Sequence, residues 1–78
     1  PKDEFIVLEE DCDFILDSSK THKYVIKSFA TCKIFPDNGL IDREWESLEI
    51  LPESCVEFRY YKPLSCWVIV SSDGIKES

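Results

Sequence analysis

Apolar positions in this chain recur in short runs with a period of two, separated by polar links, the signature of half-buried strands. Phe5-Ile6-Val7-Leu8 is the first apolar run. Cys12, Phe14 and Leu16 then alternate with Asp13 and Asp17, so two strands joined around Glu9-Glu10-Asp11 are expected. Asp17-Ser18-Ser19 breaks the pattern. Val56, Phe58 and Tyr60 alternate with Glu57, Arg59 and Tyr61 as another half-buried strand. After Lys62-Pro63-Leu64, the run Cys66-Trp67-Val68-Ile69-Val70 is apolar on both faces, as in a central strand or one covered by a partner. Ser71-Ser72-Asp73-Gly74 closes the domain, and residues 75–78 are expected to fray.

Residues 20–35 fit two periods. As strand, Tyr24, Ile26 and Ser28 oppose Val25, Lys27 and Phe29 and lead into Thr31-Cys32-Lys33-Ile34-Phe35, rich in β-branched and aromatic types. As helix, Ser18 or Ser19 caps the first turn, His22, Val25, Ile26 and Phe29 share a face, and Lys20, Lys23 and Lys27 lie outward. Strand is preferred, because no helix stop precedes Ile34-Phe35 and many of these side chains are stiff at χ1. Pro36-Asp37-Asn38-Gly39 joins a preset φ to residues that tolerate positive φ. A hairpin is expected there, setting Lys33 opposite Asp42. Residues 40–51 either continue as strand or form a short helix capped by Asp42, with Trp45 and Leu48 on one side; Pro52-Glu53-Ser54 ends the element in both cases.

The expected architecture is one small domain over residues 1–78, mainly β, with a mostly antiparallel sheet forming an open barrel or roll of five or six strands and room for one short helix. An α+β alternative rests on a resemblance. Ile34-Phe35, then Trp45-Glu46-Ser47-Leu48-Glu49-Ile50-Leu51 as a short helical turn, then Val56-Glu57-Phe58, resembles the second half of a ubiquitin-like β-grasp. The segment before Ile34 is short for the grasping helix of that family, and no conjugation chemistry is implied.

At 78 residues a single core is only just sufficient, burying on the order of 60% of the unfolded surface. With 44% hydrophobic residues, two Gly and four Pro, the chain is a folded module and not a disordered tail. Its charge is sorted into blocks: −6 over residues 1–17, +4 over 18–35, −6 over 36–58 and +1 over 59–78. A lysine-bearing element between two acidic neighbours gains roughly 0.2–1 kcal/mol per facing pair. Polyanions are poor general partners for a chain of net charge −7, and nucleic-acid binding would fall to Lys20, Lys23, Lys27 and Lys33 alone. No apolar run reaches membrane-span length, and the acidic start is unlike the basic n-region of a signal peptide. Beginning at Pro1, the chain reads as a soluble excised domain or a processed product.

Cys12, Cys32, Cys55 and Cys66 permit two disulfides in any of three connectivities. Free thiols in an intracellular protein, cytoplasmic or nuclear, are the preferred reading; a secreted, disulfide-stapled ligand or inhibitor is the alternative. No C-x₂₋₄-C pair suggests zinc. Asp11, Asp13 and Asp17 lack the glycine and terminal Glu of a calcium loop, and no cofactor or metal is expected. His22 has no activating partner at a telling spacing, and carboxylate pairs such as Glu44 and Glu46 arise by chance among sixteen acids. No enzyme is indicated.

The candidate chemistry is therefore recognition. Tyr60, Tyr61 and Trp67, with Arg59 beside them and Trp45 as a second anchor, are residue types enriched at binding hot spots. The expected role is a non-enzymatic protein–protein interaction module using an exposed edge or this aromatic patch. Its acidic surround would suit a protein partner with a basic segment. A homodimer through unpaired strand edges is the variant of the same idea.

Overall fold

A computed structural model describes the backbone of residues 3–77 and the side chains of residues 3–72. Six strands form: β1 (Glu4–Leu8), β2 (Cys12–Leu16), β3 (Lys23–Ser28), β4 (Cys32–Pro36), β5 (Leu48–Tyr61) and β6 (Cys66–Glu77). They make one mainly β, open sheet curled into a half-barrel. The two-period segment is strand: Tyr24, Ile26 and Ser28 are buried and alternate with Lys23, Val25 and Lys27. Among the described residues no α-helix occurs, and the one helical turn is the 3₁₀ turn Lys62–Leu64 in the β5–β6 hairpin. The β-grasp alternative therefore fails, since the second half of its proposed helical turn over residues 45–51, Leu48-Glu49-Ile50-Leu51, opens β5.

The pairing has a feature that local alternation does not encode. β1 and β2 do not pair with each other. Each runs parallel to a later strand at the same offset of 20 residues, Glu4 facing Tyr24 and Cys12 facing Cys32. β3 and β4 both pair antiparallel with β5, along its C-terminal and N-terminal parts respectively, and β6 pairs antiparallel along the other side. In effect β1–β2 and β3–β4 are two long paths, broken at residues 9–11 and 29–31, lying beside a single bent β5. Parallel strands need a connection of a dozen or more residues. Here β2 with the loop 17–22 returns the chain from β1 to β3, which works because the curled sheet brings the end of β2 back near the start of β3. The Tyr24 hydroxyl marks that closure: it accepts from the Asp17 N–H at 3.2 Å.

The corner passes through β5 as well. Pro52-Glu53-Ser54 does not end the strand; the register against β6 shifts between Ile50 and Cys55, and Glu53 adopts a φ of 63°. A bulge tolerates proline because the ladder there needs no N–H from it, and it bends the strand. β6 likewise runs past the expected stop at Gly74: Ile75 pairs with Ile50, so residues 75–77 are laddered where fraying was expected, and Ser78 lies outside the described residues.

Inward side chains from both halves meet in one core that includes Leu16, Tyr24, Ile34, Val56, Phe58 and Trp67. Each large apolar side chain so buried contributes about 1.5–3 kcal/mol. Between β4 and β5 the chain does not form a tight hairpin at 36–39. Residues 37–47 make a longer loop with its own turn, Ile41 bridging Trp45, and Asp42 and Arg43 at positive φ. Lys33 consequently faces Glu49 across β5 and Asp13 across β2, not Asp42.

The lysine block sits between acidic strands. Lys23 lies 3.2 Å from Asp3 and 3.7 Å from Glu57, while Lys20 lies 3.7 Å from Glu4. Lys27 donates to the Glu53 carbonyl. Ion pairs open to solvent are worth roughly 0–1 kcal/mol each, so these add little to stability.

Candidate functional site

The two edges of the curled sheet are treated differently by the chain. At the start of β6 the loop 37–47 folds over the edge. The Asp42 N–H donates to the Trp67 carbonyl at 2.7 Å, the Asp42 carboxylate accepts from the Ile69 N–H at 3.0 Å, and Ile41 bridges Trp67. Asp37 clasps this loop to both sides: one carboxylate oxygen accepts from Trp67 Nε1 at 2.9 Å, the other from the backbone N–H and hydroxyl of Ser18 at 2.8 Å each. Partial burial pushes the Asp37 carboxyl up, but the donors Trp67 and Ser18 outweigh it and hold the group below its ordinary value. Gly39 permits the close approach. Its φ is 67°, and a Cβ there would stand 2.7 Å from the Ser65 carbonyl oxygen.

The opposite edge is bare. Among the described residues β1 is laddered only to β3 and β2 only to β4, so both present an unpaired side. Three large apolar side chains point outward from them: Phe5 is 66% exposed, Val7 44% and Ile15 61%. Phe29, just past β3, is 54% exposed, and its N–H donates to the Leu8 carbonyl, fixing it beside β1. Lys27 Nζ sits 5.4 Å from the Phe29 ring centroid. Around these side chains lie Asp3, Glu9, Glu10, Asp11 and Asp13, all exposed. Neither strand carries a lysine or proline, the residues that commonly blunt an edge.

The residues singled out by type divide between two faces. Tyr61 is 49% exposed, and Arg59 is exposed with its Nε donating to Glu57 at 3.0 Å; both lie on the outer side of β5. Tyr60 points inward, half-buried, with ring centroids 5.4 Å from His22 and 5.3 Å from Trp67. Trp67 is 0% exposed and its indole N–H is spent on Asp37, so as a partner-binding residue it is corrected to a core residue. Trp45 is half-buried in the loop, packed against the core. Type alone misled here because Trp and Tyr fill cores as readily as interfaces. Phe5, Val7 and Ile15 were missed; their signal was a run apolar on both faces at positions where one face lacks a cover.

All four cysteines are free thiols. Among the described residues, no three His, Cys, Asp or Glu side chains converge as metal ligands would. Nor is any helix there long and apolar enough to cross a membrane. Compared with known proteins, the chain matches no family model, no curated protein and no solved structure.

Proposed function

We propose that this domain is a non-enzymatic protein–protein interaction module that receives an extended, basic and apolar segment of a partner along the β1–β2 edge. The observation that carries the reading is the bare edge itself. It combines unpaired backbone, the exposed Phe5, Val7 and Ile15, and one of the two acidic blocks of the chain, while the start of β6 is covered. A partner strand would gain main-chain hydrogen bonds from the edge and side-chain specificity from alternate positions. Its lysines or arginines would meet Glu9, Glu10 and Asp13, and the same charges disfavour pairing of two copies edge to edge.

An extended peptide of alternating Lys and Val tests this by fluorescence anisotropy, with alternating Glu and Val as the control. The reading expects saturable binding of the first only. Val7→Lys should abolish it with the fold intact, because it adds a gatekeeping cation to an exposed position. Equal binding of both peptides, or no effect of Val7→Lys, removes the reading.

A second surface is the outer patch of Tyr61 and Arg59, favoured by the exposure of the Tyr61 ring. Tyr61→Ala weakens binding by about 2 kcal/mol if that patch is the contact. The stapled, secreted reading has less support: with Cys12 beside Cys32, Cys55 and Cys66 fall six residues apart along the β5–β6 hairpin, roughly 20 Å at strand rise. For nucleic acid, Lys20, Lys23 and Lys27 are each already engaged by neighbouring groups.

A further inference from the structure

Just past the corner of the sheet, Cys12 on β2 and Cys32 on β4 are direct register partners in a parallel pair. Their sulfurs stand 3.7 Å apart, the Cys12 thiol donating to Cys32 Sγ. Cys12 is exposed and Cys32 buried. The Cys32 sulfur is itself held between two groups, donating to the Glu10 carbonyl at 3.4 Å and accepting from the Ser28 hydroxyl at 3.5 Å. A shallow open groove, lined among others by Asp11, Asp13, Thr31 and Lys33, opens Cys12 to solvent and leaves Cys32 beneath it.

We propose that Cys12 and Cys32 are a redox modification site: a dithiol that closes to an intramolecular disulfide by exchange with a small neutral or cationic disulfide. Neighbouring strands lie about 4.8 Å apart, within the Cα separations of about 4.4–6.8 Å that disulfides span. Closing the remaining gap between the sulfurs takes side-chain rotation, and Cys12 sits on an edge strand with no neighbour on its far side.

The order of attack follows from access. Cys12 loses its proton to water and its thiolate attacks one sulfur of the small disulfide. A Cys12 mixed disulfide forms, and one small thiolate leaves and takes up a proton. Cys32 then loses its proton and attacks the Cys12 sulfur, expelling the second small thiolate, which is protonated in turn. The protein pair is oxidised by two electrons, and one small disulfide is reduced to two thiols. Exchange proceeds only through thiolate at a sulfur the reagent can reach. Cys32 therefore serves as the resolving sulfur.

Charge selects the reagent. Partial desolvation of its sulfur first, then the hydrogen bond and charge of Cys32 and the charges of Asp13 and Asp11, raises the Cys12 pKa, so the reactive thiolate is scarce at neutral pH. The same acids repel an anionic disulfide and attract a cationic one.

The test uses the intact reduced chain without air, exposed in parallel to cystamine, which is cationic, and to glutathione disulfide, which is anionic, followed by trypsin and mass spectrometry. Cleavage after lysine and arginine places the four cysteines on four different peptides. The expected result is one linkage, between the Cys12 and Cys32 peptides, formed several-fold faster with cystamine, with the difference shrinking at high salt. Cys32→Ser should accumulate a mixed disulfide at Cys12. Linkage of Cys12 to Cys55 or Cys66, an unresolved mixed disulfide in the unsubstituted chain, or equal rates for the two reagents would overturn the proposal.

Discussion

The start of β6 and the β1–β2 path are both sheet margins, yet one is folded under a loop and the other is left open. Around β6 the chain spends eleven residues, 37–47, on a cover held by two aspartates: Asp42 bonds the backbone on either side of Val68, and Asp37 bonds Trp67 and Ser18. Along β1–β2 it spends none, and it leaves Phe5, Val7 and Ile15 in water with the acids beside them. Buried aromatic area and satisfied hydrogen bonds stabilise the first region. In the second, the inward residues Ile6, Leu8, Phe14 and Leu16 belong to the core or pack on it, whereas the outward Phe5, Val7 and Ile15 contribute little to folding. Substitutions should therefore separate: stability effects at the covered margin, binding effects at the open one.

The largest effect is expected at Trp67. Trp67→Ala removes a fully buried ring that the loop is built around and should cost roughly 3–5 kcal/mol, read as the shift in urea midpoint. For a domain of this size that approaches the whole stability. If the loss were no larger than that of an exposed residue, the covered margin would not be the stabilising one.

Next comes the clasp. Asp37→Asn should cost roughly 1–3 kcal/mol, since it weakens charge-assisted bonds to Trp67 and Ser18. It should also change the acid limb of stability. Folding lowers the Asp37 carboxyl below its ordinary 3.8, so on acidification the unfolded chain binds the proton first. The stabilisation is complete above 3.8 and is lost as pH falls through the lower folded value. Asp17 adds in the same direction, its carboxylate accepting from the Ser19 hydroxyl and N–H. The Asn variant should show a shallower fall over that range, and an unchanged acid profile would contradict the clasp.

Gly39→Ala should follow, at about 1–2 kcal/mol, because alanine at a φ of 67° is strained and its Cβ meets the Ser65 carbonyl. Smallest of all in stability is Phe5→Ala, expected within about 0.5–1 kcal/mol by the same denaturation. In binding the order reverses: Phe5→Ala should weaken a peptide bound at the edge by about 2 kcal/mol while Tyr61→Ala leaves it unchanged. The opposite result would move the site to the Tyr61 and Arg59 patch.

Much of this was legible in the residues. The alternation at Tyr24, Ile26 and Ser28, and again at Val56, Phe58 and Tyr60, placed β3 and the second half of β5, and the lysine block correctly implied an element between acidic neighbours. Pairing was not legible, because a strand's pattern names its buried face and not its partner. The 20-residue offset of β1 with β3 and of β2 with β4 is a property of the curl, visible only when the corners at 9–11, 29–31 and 51–53 are seen to line up. Pro52 looked like a stop for the same reason, since a bulge that absorbs it exists only in the folded ladder. At the site, the acidic surround was readable but Trp67 and Phe5 were exchanged: the larger aromatic suggested the interface, while the core claimed it and left the edge phenylalanine outside.

The most direct test of the open edge is a residue-resolved amide map of the folded domain as the alternating Lys and Val peptide is added. Shifts and new exchange protection confined to Glu4–Leu8, Cys12–Leu16 and the adjoining Phe29 are predicted, with the loop 37–47 and the start of β6 unmoved. Perturbation centred on that loop, or on Tyr61 with β1 and β2 silent, would contradict the account.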